Sequence, residues 1–376
     1  LAPGVAFGLI WVGFAAYLGA VVFAPRLGRR AVWGAIVALL VLFACLPPLL
    51  SHDVYSYIDY ARLGVRHGLD PYVHPPTAIR SDPAFAHVAW THTTSAYGPL
   101  FTLATYPLAW MPVGAAVYAL KAASALAVLA TAAIVARLAP LRGVDPLRAA
   151  AFVALNPLVL VHVVGGPHND ALAVLLVTVG VAAMLSAREL SAGAAFLAAV
   201  AIKASALIVA PFAIAASHPP PTGRYVKPGL TYRPVGGLVA GAGAAAALIA
   251  VASYAAFGWN WLDAFALVGE SQGRTSHLSI PTTAARLTGL DPDVTRAIAL
   301  AAFALLVSYL LFWTHRGGDW LRAAAWATTA MLLATAWLLP WYLLWPLPLA
   351  ALSRDRPLQL LLLALTAYQL GARIPL

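Results

Sequence analysis

The residues best suited to chemistry are concentrated in Ser51-His52-Asp53-Val54-Tyr55-Ser56-Tyr57-Ile58-Asp59-Tyr60, directly after an apolar run long enough to cross a bilayer. A carboxylic acid at the lip of a transmembrane helix, among aromatic rings, lies in a low-dielectric setting. That raises its pKa and suits it to general-base work. Asp53 and Asp59 are six positions apart and face different sides of a helix, so one carboxylate acting alone fits better than a close pair. In purely structural terms Asp53 would be the N-cap of a surface helix.

A second polar cluster, Gly165-Gly166-Pro167-His168-Asn169-Asp170, lies between two apolar runs. Its backbone is permissive enough for close approach, which points to ligand contact. The His-x-Asp pair is too sparse a pattern to specify a metal, and no metal site is expected. Lys203 interrupts a run of alanines and valines. A charge inside a membrane segment is costly, roughly 2.5–3.5 kcal/mol on insertion scales, and is a functional candidate by default. Its natural counter-charge would be an anionic lipid phosphate, and snorkelling to the interface is the plainer alternative. Glu270, Arg274 and His277 supply an acid, a base and a further candidate phosphate ligand in the 258–293 stretch. Tyr57, Tyr72 and Tyr97 are candidates to contact sugar or acceptor. The latter two sit in the turn motifs Asp70-Pro71-Tyr72 and Tyr97-Gly98-Pro99-Leu100, where interfacial anchoring is the commoner role. Asp291-Pro292-Asp293 reads as a helix cap.

The elements that must position these groups are transmembrane helices. The chain has 376 residues, 62% hydrophobic and 10% charged, with a mean hydropathy of +0.83, whereas a soluble domain carries roughly 25% charged residues. About ten apolar segments recur, near 3–24, 31–50, 100–136, 148–164, 171–187, 190–216, 234–257, 294–314, 320–340 and 341–376. They are continuous and rich in Ala and Leu rather than alternating, so the expected fold is all-α, a polytopic bundle of about 10–11 membrane segments. The third segment breaks at Pro112-Val113-Gly114, and the last at Arg354-Asp355-Arg356-Pro357. No cleavable signal peptide is expected at the start. Net charge is +10, but the basic residues sit in short clusters between apolar runs. Positive-inside topology explains that better than nucleic-acid binding. The single cysteine, Cys45, excludes an intrachain disulfide.

Placing Arg26, Arg29 and Arg30 in the cytoplasm puts residues 51–99 on the outer side as the first large extracytoplasmic loop. Arg137, Arg142 and Arg148 return the chain to the cytoplasm, so 165–170 emerges on the outer face too. If 217–233, with Arg224, Lys227 and Arg233, is cytoplasmic, then 190–216 must enter and leave on one side. Two short helices turning near Lys203 would achieve this, as would a re-entrant hairpin. Residues 258–293 then form the second large outer loop of a single domain spanning 1–376.

Seven motifs carry a resemblance. Ser-x-Asp-Val-Tyr-Ser-Tyr at 51–57, Asp-Pro-Tyr at 70–72 and Tyr-Gly-Pro-Leu at 97–100 resemble the first outer loop of the polyprenol-phosphate-mannose-dependent mannosyltransferases of actinobacteria. Leu-Asn-Pro-Leu-Val-Leu at 155–160 with Gly-Gly-Pro-His-Asn-Asp at 165–170, Ala-Ile-Lys at 201–203, and Trp-Tyr-Leu-Leu-Trp-Pro at 341–346 follow in the same order. The likeness is closest to α-1,6-mannosyltransferases that build the mannan core of lipomannan and lipoarabinomannan in the cell envelope. It implies the GT-C architecture, an extracytoplasmic active site, a polyprenyl-phosphate-linked sugar donor, a glycolipid or mannan acceptor, inversion at the anomeric carbon, and usually no metal. Carried over residue by residue, Asp53 is the catalytic base. His168, Asn169 and Asp170 line the sugar or acceptor pocket, and Lys203, Arg274 or His277 steady the departing phosphate.

Family members are usually longer, so the chain is expected to be a short or truncated member or a relative with another acceptor. A nucleotide-sugar enzyme would need a cytoplasmic Rossmann-like domain, and no polar stretch here exceeds about 50 residues. Three rival readings share the membrane setting. A transporter or flippase predicts polar groups at the midplane and repeated halves with broken helices. A lipid-binding assembly subunit has no need for an acid at Asp53, and a polysaccharide polymerase or ligase would share a lipid-linked substrate on the same face.

Overall fold

The computed structural model describes residues 3–217, 235–271 and 274–371, with the side chains of 3–7 and 268–271 left out. Arg224, Lys227, Arg233 and the Glu270 side chain therefore lie outside the described residues. Every regular element among those described is helical. Continuous Ala-, Leu- and Val-rich sequence leaves helix as the way to satisfy backbone polar groups in lipid.

Helix α1 runs Pro3–Cys45 and has one non-helical residue, Gly28, at φ 78°. The two apolar segments expected at 3–24 and 31–50 thus join through the basic stretch around Arg26 and Arg30. Helix α2, Asp53–His67, buries Val54, Tyr57, Ile58 and Ala61 along one face. That is the i, i+3, i+4, i+7 spacing of an amphipathic helix. It ends where Gly68 takes a left-handed conformation and the Leu69 N–H reaches the Leu63 carbonyl. Helix α3 is Pro99–Thr105 and α4 is Val113–Leu138, separated by the expected break, with Pro112 as the cap of α4.

Helix α5, Pro146–Ala154, leads into a π-helical turn at Val159–Val164. Helices α6, Asp170–Leu185, and α7, Glu189–Ile202, follow. The chain turns extended at Lys203 and resumes as a 3₁₀ helix and then α8, Ala210–Ala216, so the pair of short helices expected around Lys203 is present. Helix α9 is Val235–Phe257 and α10 is Asp263–Ser271. Next come α11, Ile280–Thr288, and α12, Pro292–His315, which Asp291 caps through its carboxylate. Helix α13 is Trp320–Ala334, and α14, Leu347–Leu352, and α15, Arg356–Gly371, flank the expected break near Arg354.

Four of these helices, within α1, α4, α9 and α12, are long and apolar enough to cross a membrane. At 1.5 Å per residue the 23 residues of α9 cover about 35 Å, against a hydrocarbon core of about 30 Å. Only 11% of the most apolar stretch of α9 or α12 is buried, against 44% for α4, so α9 and α12 face outward from the protein. The other apolar runs fall on shorter helices, such as α6 and α7, which pack inside. A large apolar core draws on α1, α4, α5, α6, α13, α14 and α15. A second, smaller one seats the inner face of α2 against α3, α4 and α6, and the candidate site lies at the end of it.

Candidate active site

Asp53 is the first residue of α2 and Asp170 the first of α6, while Lys203 closes the C-terminus of α7. Each charge therefore has the sign its helix end favours, negative where backbone N–H groups are free and positive where carbonyls are. Asp53 does not serve as the N-cap. His52 holds that position, without a side-chain cap.

Two close backbone contacts gather these ends. The Leu49 N–H donates to the Gly165 carbonyl at 3.0 Å, and a Cβ on Gly166 would stand 2.7 Å from the Leu49 carbonyl oxygen. That contact lays the start of α2 against the 165–170 turn. The Gly98 N–H donates to the Ile202 carbonyl at 3.2 Å, and a Cβ on Gly98 would meet the Ala201 carbonyl oxygen at 2.1 Å. Only a glycine permits that approach, and it brings the 97–100 turn onto the residue before Lys203. Lys121, buried in α4, reaches across and donates to the Gly165 carbonyl at 2.6 Å.

Around this frame the side chains meet. Lys203 Nζ lies 2.7 Å from Asp170 Oδ2, and Trp345 Nε1 donates to the other oxygen at 2.5 Å. The Lys203 ammonium also stands over the rings of Tyr342 and Trp345, 5.2 and 5.5 Å from their centroids. Its counter-charge in the structure is thus Asp170, where the sequence had suggested a lipid phosphate. Asp53 accepts from Trp90 Nε1 at 3.1 Å through Oδ1. Its Oδ2 is 3.6 Å from His168 Nδ1, beyond hydrogen-bond length. His168 stacks on Trp341 with centroids 3.6 Å apart. Arg274 lies over both Trp90 and Trp337, at 4.7 and 5.4 Å, while the Ser276 N–H donates to the Ala336 carbonyl. The segment after α10 is thereby tied to the neighbourhood of Asp53.

Burial pushes the Asp53 carboxyl above the ordinary range, and the nearby Asp170 charge acts the same way. The Trp90 donor and the positive charge of Lys203 pull it back. Burial, with Lys203 adding to it, holds His168 well below the usual imidazole range, so this ring is neutral at pH 7. His168 Nε2 and both amide atoms of Asn169 are buried without a hydrogen-bond partner among the described residues. Groups so placed are expensive unless something satisfies them, which fits a ligand-binding role. Among the described residues no three His, Cys, Asp or Glu side chains gather in a way that could hold a metal.

The structure brings together Asp53, His168, Asn169, Asp170 and Lys203, and places Arg274 over Trp90, the indole that donates to Asp53. It does not bring the His277 ring to them; His277 is exposed and its carbonyl accepts from Thr283. Tyr57 and Tyr72 are buried. Tyr57 packs edge-on against Tyr97 and Phe101, and Tyr72 against Phe257. The Tyr72 hydroxyl lies 2.9 Å from both the Tyr97 carbonyl and the Thr102 hydroxyl. Instead of open faces, both are packed rings: Tyr57 anchors α2 to α3, and Tyr72 packs with the end of α9. Trp90, Trp341, Trp345 and Lys121 were not foreseen as site residues. Lys121 alone carried a usable signal, being a charge inside an apolar run like Lys203.

A family model described as alpha-(1->6)-mannopyranosyltransferase, N-terminal domain, matches residues 2–218. A model described as the MptB C-terminal domain matches residues 282–370. Among curated relatives, alpha-(1->6)-mannopyranosyltransferase A of Mycobacterium tuberculosis is 34% identical over 334 residues, covering 81% of this chain and 61% of the relative. The protein of the same name from Corynebacterium glutamicum is 30% identical over 236 residues, covering 57% of this chain and 47% of the relative. The chain thus spans between about half and three fifths of the length of these relatives. No solved structure matches.

Proposed function

This chain belongs to the alpha-(1->6)-mannopyranosyltransferase family, and we propose that it transfers a mannosyl residue from polyprenyl-phosphate-mannose to a glycolipid or lipid-linked mannan acceptor. The observation that carries the reading is the environment of Asp53. It is a half-buried carboxylate with a raised pKa, held by Trp90 and facing the Asp170–Lys203 pair. In the proposed step Asp53 takes the proton of an acceptor hydroxyl. The hydroxyl oxygen attacks the anomeric carbon, the bond from that carbon to the phosphate oxygen breaks, and polyprenyl phosphate leaves with the electron pair. A single displacement of this kind inverts the anomeric centre. Positive charge at the leaving oxygen lowers the barrier, a role this reading gives to Arg274 and Lys203. His168, Asn169 and Asp170 hold the sugar. The outward-facing α9 and α12 suit a protein embedded in lipid, where the isoprenoid tail of the donor stays while its head reaches the site. On the distribution of basic residues, that site opens on the extracytoplasmic face.

The test is mannosyl transfer from polyprenyl-phosphate-mannose to membrane acceptors, comparing wild type with Asp53→Asn at matched expression. The expected result is loss of transfer in the variant with donor binding retained. Equal rates in the two proteins would overturn the assignment of the base.

A further inference from the structure

Beside Asp53 the surface opens into a cleft of about 340 Å³, lined by His52, Tyr55, His87 and Val88 with two alanines. This lies within the size range of small-molecule sites, about 300–1,000 Å³. Tyr55 and His87 lie ring to ring with centroids 4.9 Å apart and 30° between planes, and His52 stands 6.2 Å from Tyr55. His52 and His87 are exposed and Tyr55 is partly so, in contrast to the packed rings of Tyr57 and Tyr72. Both walls of the cleft lead to the proposed base. His52 immediately precedes Asp53, and three residues beyond His87 the Trp90 indole donates to the Asp53 carboxylate.

The lining contains no Asp, Glu, Lys or Arg, so it offers no permanently charged group to hold a phosphate. It presents aromatic faces together with imidazole nitrogens that can both donate and accept. That combination matches a neutral polyol with one apolar face, such as a pyranose ring. We propose that this cleft is the acceptor subsite, in which the non-reducing end of an α-mannoside chain packs against Tyr55 and His87 with its reacting hydroxyl toward Asp53. The choice of mannoside rests on the proposed transfer reaction, while the choice of a neutral sugar rests on the lining.

The experiment uses the full chain in detergent with octyl α-1,6-mannobioside as the probe. Binding is read by saturation-transfer NMR and transfer by acceptor and donor KM. The subsite predicts that Tyr55→Ala and His87→Ala each weaken probe binding and raise the acceptor KM about tenfold. The donor KM stays within about twofold, and Tyr55→Trp, which keeps a ring, restores binding. Unchanged probe binding in both alanine variants overturns the subsite, as does a wild type that transfers mannose to the probe with the same acceptor KM as the variants. A wild type that binds the mannobioside through Tyr55 but transfers no mannose leaves the subsite standing and removes the catalytic reading instead.

Discussion

Asp53 and Asp59 share one helix, and burial raises the pKa of both, yet their surroundings differ in kind. Asp53 sits at the helix start, partly exposed, with an indole N–H on one oxygen and His168 near the other. Asp59 is fully buried, and neither of its oxygens has a hydrogen-bond partner among the described residues. Burial, reinforced by the Asp82 charge and opposed by Arg62, raises its pKa to about 7. The Arg62 guanidinium is itself committed to Asp82 at 2.8 Å, with His67 on the other Asp82 oxygen at 3.1 Å. A raised pKa therefore does not identify a base by itself. Exposure separates the two acids: Asp53 reaches the surface and Asp59 does not.

The sharpest way to break that contrast is to remove each carboxylate in turn. Asp53→Asn is expected to lower kcat by about 10²–10⁴, the range for loss of a general base, while Asp59→Asn keeps transfer within a few-fold of wild type. The reverse ranking in a mannosyl-transfer assay would move the catalytic role one and two-thirds turns down α2. Next in size is Lys203→Met, which leaves the Asp170 carboxylate buried without its cation. Breaking a buried pair from one side costs roughly 3–5 kcal/mol, so thermal unfolding in detergent should show a large drop. Asp170→Leu in the same chain should recover most of it without restoring activity. Gly98→Ala drives a methyl group into the Ala201 carbonyl. A loss of about 1–3 kcal/mol is expected, together with weaker transfer, because the 97–100 turn is pushed off the Lys203 segment.

The two acids also differ in what pH does to them. A folded-state pKa of about 7, above an unfolded value of about 3.9, means the folded protein holds the Asp59 proton more tightly. Its contribution to stability is full below the unfolded pKa and is lost as pH rises through the folded one. Unfolding temperature should therefore fall between about pH 4 and 7, and Asp59→Asn should flatten that slope. On the proposed mechanism Asp53 governs rate instead. Because the base must be ionised, transfer rises with pH through its pKa. Trp90→Phe removes a donor that favours the ionised form, so the acid limb of the kcat/KM profile should shift to higher pH, the smallest of these effects.

Much of the site was legible because charges in apolar surroundings stand out. Asp53 and Asp170 stand in polar clusters at the ends of apolar runs and Lys203 breaks one, and the structure joins the last two as a pair. Helix breaks at Pro112, Lys203 and Arg354 were readable for a similar reason, since proline and charge both disfavour an uninterrupted apolar helix. What sequence could not give was partnership over distance. Trp345 meets Asp170 across 175 positions, and nothing local to Trp341-Tyr342-Leu343-Leu344-Trp345 distinguishes an interfacial belt from the wall of a site. The tyrosines misled in the opposite sense. A tyrosine in a polar turn looks like a surface ring, but Tyr72 is drawn inward by Thr102 and Phe257, which lie far along the chain.

The contacts of Trp341 with His168 and of Trp345 with Asp170 cross between the two regions that separate family models match, 2–218 and 282–370. The side chains gathered at the candidate site come from both regions. A chimera that joins the first region of this chain to the second region of a relative must preserve both indoles in register with the 168–170 turn. Coevolution across that seam should therefore be concentrated at 168, 170, 341 and 345, and functional recombinants should be those that inherit the four positions together.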